Sequence, residues 1–298
     1  MGERQADGVA VVPLRPAPVL RRGAGRRQVV PESGLLHALR SEPQPFINPD
    51  EGLLSLWSPK SACTTVLVWH LARLGMLKAA FAYHHFPHRY RIDVLEKGRL
   101  NRRATERFDA AAYTVVRFVR DPFRRAVSMY RHALRYHLLP GTGPWPLAQV
   151  RRRADARRGY SFVRFLETLA AVDPARCDIH LRPQRHPLEE LLPPAFVINA
   201  DRDSLTGQIN RLETAVGLVP TDFEQIDWLN TDARRRHART AAAAEVVRGS
   251  AAETVFTAAD TGGVWPTARE FRSDRAEALV RAVFAADVAA YGLIDDEV

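Results

Sequence analysis

Two short segments carry side chains whose types and spacing suit the binding of an anion. The first is Ser58-Pro59-Lys60-Ser61-Ala62-Cys63-Thr64-Thr65. It lies between an apolar run that reads as a strand and a longer apolar stretch that reads as a helix. Backbone N–H groups at a helix start point at whatever lies above them and favour negative charge. Lys60 adds a point charge, and Thr64 and Thr65 add hydroxyl donors. Lys60 stands out because Lys occurs only at Lys60, Lys78 and Lys97, all other basic side chains being Arg apart from histidine. A chain that uses Arg by default and keeps a Lys has use for a compact ammonium there. The segment lacks the glycines and the Gly-Lys-Ser/Thr ending of a nucleotide triphosphatase loop. Taken alone, it also fits an ordinary strand-to-helix turn.

The second segment is Arg120-Asp121-Pro122-Phe123-Arg124-Arg125-Ala126-Val127-Ser128-Met129-Tyr130. Arg120 ends a β-branched run, at the strand end where open α/β sheets bind ligands. Ser128 falls two turns into the following helix, and helical side chains lean back toward the N-terminus. Arg120 and Ser128 are therefore candidates to hold one phosphate between charged donors and a hydroxyl. Arg124 and Arg125 read either as further ligands or as solvated surface. Two anion sites at successive strand ends suit a nucleotide with phosphates at both ends of its ribose.

Proton transfer at neutral pH points to histidine. His84, His85 and His88 cluster in Tyr83-His84-His85-Phe86-Pro87-His88, where Pro87 ends the preceding helix and leaves the cluster in a loop. His70 sits mid-helix and reads as packed. His180 and Gln184 read either as contacts to acceptor or nucleotide or as structural residues. No cluster of His, Cys and carboxylates has ligand spacing, so no metal is expected.

The elements that must position these groups alternate. Leu53 to Ser58, Tyr113 to Arg120 and Phe196 to Asn199 read as strands. Helices are expected from Thr64 to Tyr83, Pro122 to Tyr136, Phe162 to Leu169, Ser204 to Val216 and Asp274 to Tyr291, with Ser204 as a cap. Strand–helix alternation implies an α/β fold, a central parallel sheet flanked by helices. Residues 1–45, rich in Pro, Gly and Arg, read as a flexible arm, and residues 46–298 as one domain.

The chain has 298 residues and a formal charge of +9, so an anionic substrate or partner is expected. Its two cysteines are too few for a disulfide framework and fit reduced thiols in the cytoplasm. No secretory signal is expected from the first residues, and the apolar stretch from Thr64 to Tyr83 carries His70, Arg73 and Lys78, which argues against a membrane span. Abundant Ala and Arg suggest a bacterial source.

Together the two segments resemble the sulfotransferases, specifically the carbohydrate sulfotransferase branch called sulfotransferase family 2. Pro59-Lys60-Ser61-Ala62-Cys63-Thr64 is similar to that family's Pro-Lys-x-x-Cys-Thr loop. Phe118-Val119-Arg120-Asp121-Pro122-Phe123-Arg124-Arg125-Ala126-Val127-Ser128-Met129-Tyr130 is similar to its Phe-Val-Arg-x-Pro-Phe-x-Arg-x-Val-Ser-x-Tyr motif. His180-Leu181-Arg182-Pro183-Gln184 and the ending Phe284 to Gly292 also resemble this branch, and the likeness spans roughly residues 50 to 293.

The resemblance implies a P-loop-like, three-layer sulfotransferase fold. It implies 3′-phosphoadenosine-5′-phosphosulfate (PAPS) as donor, without a metal, and a hydroxyl-bearing acceptor such as a glycan or natural product. By the same resemblance Pro59, Lys60, Ser61, Ala62, Cys63, Thr64 and Thr65 would hold the 5′-phosphosulfate, and Arg120 and Ser128 the 3′-phosphate. Lys60 would act in catalysis, with His88 ahead of His84 as general base. His85, His180 and Gln184 would face the acceptor, framed by Leu138 to Arg158 and by Trp265-Pro266. No counterpart of the animal Golgi members' membrane anchor is expected from this sequence. Two other readings stay open: a P-loop kinase or nucleotide hydrolase, which needs glycines and a magnesium-binding Asp, and a basic nucleic-acid-binding protein, favoured only by arginine runs such as Arg151-Arg152-Arg153.

Overall fold

The computed structural model describes residues 32–138, 158–173, 177–229 and 248–292. Four strands form one sheet: β1 (Phe46–Asn48), β2 (Leu53–Leu56), β3 (Thr114–Val119) and β4 (Phe196–Asn199), in the order β1-β2-β3-β4. β2, β3 and β4 run parallel, whereas β1 pairs antiparallel with β2. The sheet is thus mixed, where the sequence predicts a parallel one. An antiparallel neighbour needs only a tight turn, but a parallel one needs a crossover. That turn passes through Gly52 at φ +61, where an added Cβ would come 2.6 Å from the Ala112 carbonyl oxygen.

The helices are α1 (Glu32–Arg40), α2 (Cys63–Arg73), α3 (Leu77–Tyr83), α4 (Pro87–Tyr90), α5 (Arg99–Glu106), α6 (Pro122–Arg135), α7 (Phe162–Ala170), α8 (Leu188–Leu191), α9 (Leu205–Ala215), α10 (Ala268–Phe271), α11 (Asp274–Val283) and α12 (Ala285–Tyr291). The expected helix from Thr64 to Tyr83 is two helices, broken at Gly75, which takes φ +66. The expected helix from Asp274 to Tyr291 is likewise interrupted, at Phe284. Pro87 opens α4, so His88 lies on a helix and not in a loop. Of the expected N-terminal arm, residues 1–31 lie outside the described residues. Residues 32–40 are α1, whose Ala38 and Leu39 are buried against the sheet.

Alternation along the strands sorts side chains to two faces. Leu53, Val116, Phe118 and Ile198 pack with Val66, Leu67 and Trp69 of α2 and Ile209 and Leu212 of α9. Leu54, Leu56 and Val115 pack with Ala38 and Leu39 of α1 and with Leu188. A third cluster joins α6, α7, α10 and α11 through Phe123, Tyr130, Phe162, Phe165, Phe271 and Val280, with Phe284 just beyond α11. Trp265 belongs to this cluster at 8 % exposure, with its ring 5.7 Å from that of Phe271. It is core and does not frame an acceptor pocket. Residues 139–157, also expected there, lie outside the described residues. Among the described residues no helix is long and apolar enough to cross a membrane. Cys63 and Cys177 are both free thiols.

Candidate active site

The parallel strands β2, β3 and β4 end together, and the groups singled out above follow those ends. The loop after β2 is conformationally costly. Lys60 and Ala62 adopt φ +68 and +55, the left-handed region that L-residues avoid at about 1–3 kcal/mol each. Ala62 is also the N-cap of α2 and supplies no side-chain bond. Ala ranks among the poorest cap residues, and the first N–H groups of a helix lack internal partners. Ser58 Oγ donates to Ser61 Oγ at 3.0 Å, which pins the loop at its base.

Charge gathers over this helix start. Burial draws the Lys60 ammonium down to a pKa of about 8, and Arg120, Arg125 and Arg131 push the same way. Among the described residues Cys63 opposes them, and no carboxylate does. A cation surrounded by cations beside uncapped N–H groups is what a bound anion would relieve.

The loop after β3 is organised differently. Arg120 turns its Nε toward both carboxylate oxygens of Asp201, at 3.1 Å each, from the end of β4. Asp201 also accepts the backbone N–H of Asp121 at 3.0 Å. Asp121 caps α6 by accepting from Arg124 N at 2.8 Å, and Pro122 occupies the first helical turn. Arg120 remains 30 % exposed, so its guanidinium tip is open. Ser128 is half-buried on α6. At about 1.5 Å of rise per residue it lies roughly 9 Å along the helix from Pro122. No described contact ties it to Arg120.

Gln184 joins the two loops. Its Oε1 accepts from Ser61 Oγ at 3.0 Å and from Arg120 N at 3.1 Å, while its Nε2 donates to the Arg120 carbonyl at 2.8 Å. At 1 % exposure it faces neither acceptor nor solvent. The expectation of a substrate contact gives way to a brace. The backbone of Gln184 is held in turn: its N–H donates to the Asp287 carboxylate at 2.8 and 3.0 Å, and its carbonyl accepts from Arg117.

Arg125 is neither phosphate ligand nor solvated surface. It is 1 % exposed and donates from Nε to the Pro59 carbonyl at 3.1 Å and from Nη2 to the Arg182 carbonyl at 2.8 Å. Its Nη1 lies 3.8 Å from Asp287. Burial lowers its pKa to about 10, which still leaves it cationic at neutral pH.

The histidines separate. His88 is buried, with Nε2 3.1 Å from Thr64 Oγ1, so α4 brings it against the first loop. Its Nδ1 accepts from Arg91 Nε at 3.2 Å. An arginine can only donate, so in the neutral ring Nε2 carries the hydrogen and gives it to Thr64. That leaves no lone pair for the general base expected at His88, and it turns the Thr64 hydroxyl hydrogen toward another acceptor. Burial, then Arg91, His180 and Lys60, depress the His88 pKa to about 3. His84 accepts from Phe86 N at its Nδ1, 2.9 Å away, and is likewise a donor at its other edge. The His84 and His85 rings lie tilted at 4.1 Å between centroids on the connection from α3 to α4, and no described contact links either to Lys60. His70 is packed as expected, 4.9 Å from Phe46 and lowered to about 3 by burial.

One histidine escaped the sequence reading. His132, one helical turn beyond Ser128, stacks on His180 at 4.1 Å. Burial is the main cause of a His132 pKa near 3, and Lys60 and His180 add to it. His180 in turn holds Asp178, with Nδ1 2.8 Å from Oδ1. The i, i+4 spacing from Ser128 was a signal that could have found His132.

Strand ends, a helix start without a side-chain cap just after Lys60, and an Arg120 loop braced to it suit the binding of an anion. Residues 43–217 match a family model described as Sulfotransferase family. The chain belongs to the sulfotransferase family. Comparison with curated proteins and comparison with solved structures each return no match. The matched span covers both loops, α4 and Gln184, so the brace of this sulfotransferase lies within its family region.

Proposed function

We propose that this sulfotransferase takes its sulfuryl group from PAPS and passes it to a hydroxyl of a carbohydrate or other small natural-product acceptor. The observation that carries this reading is Lys60: an ammonium with no carboxylate partner among the described residues, crowded by Arg120, Arg125 and Arg131 beside a helix start without a side-chain cap. The residues present suit a donor with two anionic ends. Pro59 to Thr65 form the P-loop-like cradle for the 5′ end, with N–H groups of Cys63, Thr64 and Thr65 and the hydroxyl that His88 turns outward. Arg120 and Ser128 take the 3′-phosphate, Arg120 being aimed by Asp201.

When bound, the donor supplies an activated sulfuryl group on a phosphate leaving group. Lys60 meets the negative charge that grows as that phosphate departs, an interaction stronger in the transition state than before it. The brace at Gln184 fixes the separation of the two cradles, so positioning is paid in advance by the fold. Arg-rich composition and two free thiols support a bacterial, cytoplasmic setting for the reaction.

Calorimetric titration of the whole protein tests the donor reading. 3′-Phosphoadenosine-5′-phosphate (PAP) should bind tightly without metal, whereas ATP with magnesium and duplex DNA should not. Tight binding of ATP or DNA in place of PAP would refute it.

A further inference from the structure

We infer that His180, held by Asp178, is the general base that accepts the proton of the incoming hydroxyl. This deepens the proposed function and rests on it.

A neutral imidazole has one lone pair, and the ring's hydrogen bonds say where it is. At His88 it is spent on Arg91, and at His84 on the Phe86 N–H. At His180 the partner of Nδ1 is a carboxylate, which only accepts, so Nδ1 carries the hydrogen and Nε2 the lone pair. Asp178 Oδ1 also accepts the His180 backbone N–H at 2.9 Å, which fixes the carboxylate under the ring. Among the described residues nothing bonds to Nε2. A carboxylate behind one nitrogen and an open lone pair on the other is the arrangement that makes histidine a base.

Location agrees with tautomer. The His180 ring stacks on His132, one turn beyond Ser128 on α6, and its segment runs on to Gln184, whose Oε1 accepts from Ser61 in the Lys60 loop. Ile179 beside it and Pro59 of that loop line one cavity. His180 keeps a side-chain exposure of 37 %, open to an acceptor, while His88 is buried at 8 %. Among the described residues, Asp178 on its own segment and His132 from α6 touch the His180 ring directly.

The step balances. The acceptor oxygen forms a bond to sulfur as its proton passes to His180 Nε2. The bond from sulfur to the bridging oxygen breaks, and its electron pair stays on the leaving phosphate beside Lys60. The imidazolium, paired with Asp178, then returns its proton to solvent.

Ring-nitrogen NMR of the whole, 15N-histidine-labelled protein reads the tautomers directly, with His180→Ala and His88→Ala for assignment. His180 should be protonated at Nδ1 and His88 at Nε2, and Asp178→Asn should switch His180 to Nε2–H. PAP titration and PAPS turnover with water as acceptor follow on the same proteins. His180→Ala should cut turnover about 100-fold, partly restored by added imidazole, with PAP affinity within about twofold of wild type. A His180 ring protonated at Nε2 overturns the assignment. So does turnover in His180→Ala within about threefold of wild type, or imidazole rescue confined to His88→Ala. Failure of wild type to bind PAP would instead remove the donor reading beneath it.

Discussion

The loops after β2 and β3 sit side by side and are built on opposite plans. The Arg120 loop is complete in itself. Its guanidinium is neutralised by Asp201, its helix is capped by Asp121, and its backbone is tied to Gln184. The Lys60 loop is incomplete. Two residues sit in the left-handed region, α2 has no side-chain cap, and its cation is repelled by three arginines. Preorganised charge positions a ligand, whereas uncompensated charge gains most when new negative charge appears. On the proposed function, the first loop would be the place for rate and the second the place for affinity.

The contrast can be broken most decisively at Lys60. Lys60→Ala should lower the transfer rate about 100- to 1,000-fold while changing PAP affinity less than about tenfold. A steady-state rate together with a PAP titration checks this. A loss confined to affinity would erase the distinction between the loops. Arg120→Ala should do the reverse and weaken PAP by roughly 2 kcal/mol, the lower end for a charged partner because Arg120 is part-exposed. Gln184→Leu takes away the acceptor of the Ser61 hydroxyl hydrogen and the side-chain partners of the Arg120 backbone N–H and carbonyl in a buried site. A loss of about 1–3 kcal/mol in unfolding free energy is expected, read by denaturant titration. The smallest effect is one of pH. Lys60 loses its proton as pH rises through about 8, so kcat/KM should fall to about half its plateau there and keep falling above. Below that pH this group contributes no slope, and in Lys60→Ala the alkaline limb should vanish.

Much of this was legible in sequence because it is local. The β-branched run from Thr114 to Val119 and Pro122 at a helix start announced β3 and α6, and the Pro-Lys segment announced the loop between β2 and α2. What stayed hidden depends on partners far apart in the chain. Gln184 meets Ser61 across 123 positions, and Arg120 meets Asp201 across 81, with no periodicity to announce either. The three-residue strand β1 was too short to show alternation. α1 was legible after all: Leu35, Ala38 and Leu39 follow helical spacing, masked by the Arg- and Pro-rich residues before them. The roles of the histidines turned on which ring nitrogen faces Arg91, Phe86 or Asp178, a matter of orientation that residue type does not encode.

Asp287 lies on α12, well over 200 residues after Lys60, yet it is the carboxylate that holds Gln184 and faces Arg125. A chain still emerging from the ribosome can complete β2, β3 and β4 long before this anchor exists. Donor binding by such a growing polypeptide should begin only once α12 has been made and docked, which ties the birth of the enzyme's activity to a helix synthesised well after the whole sheet.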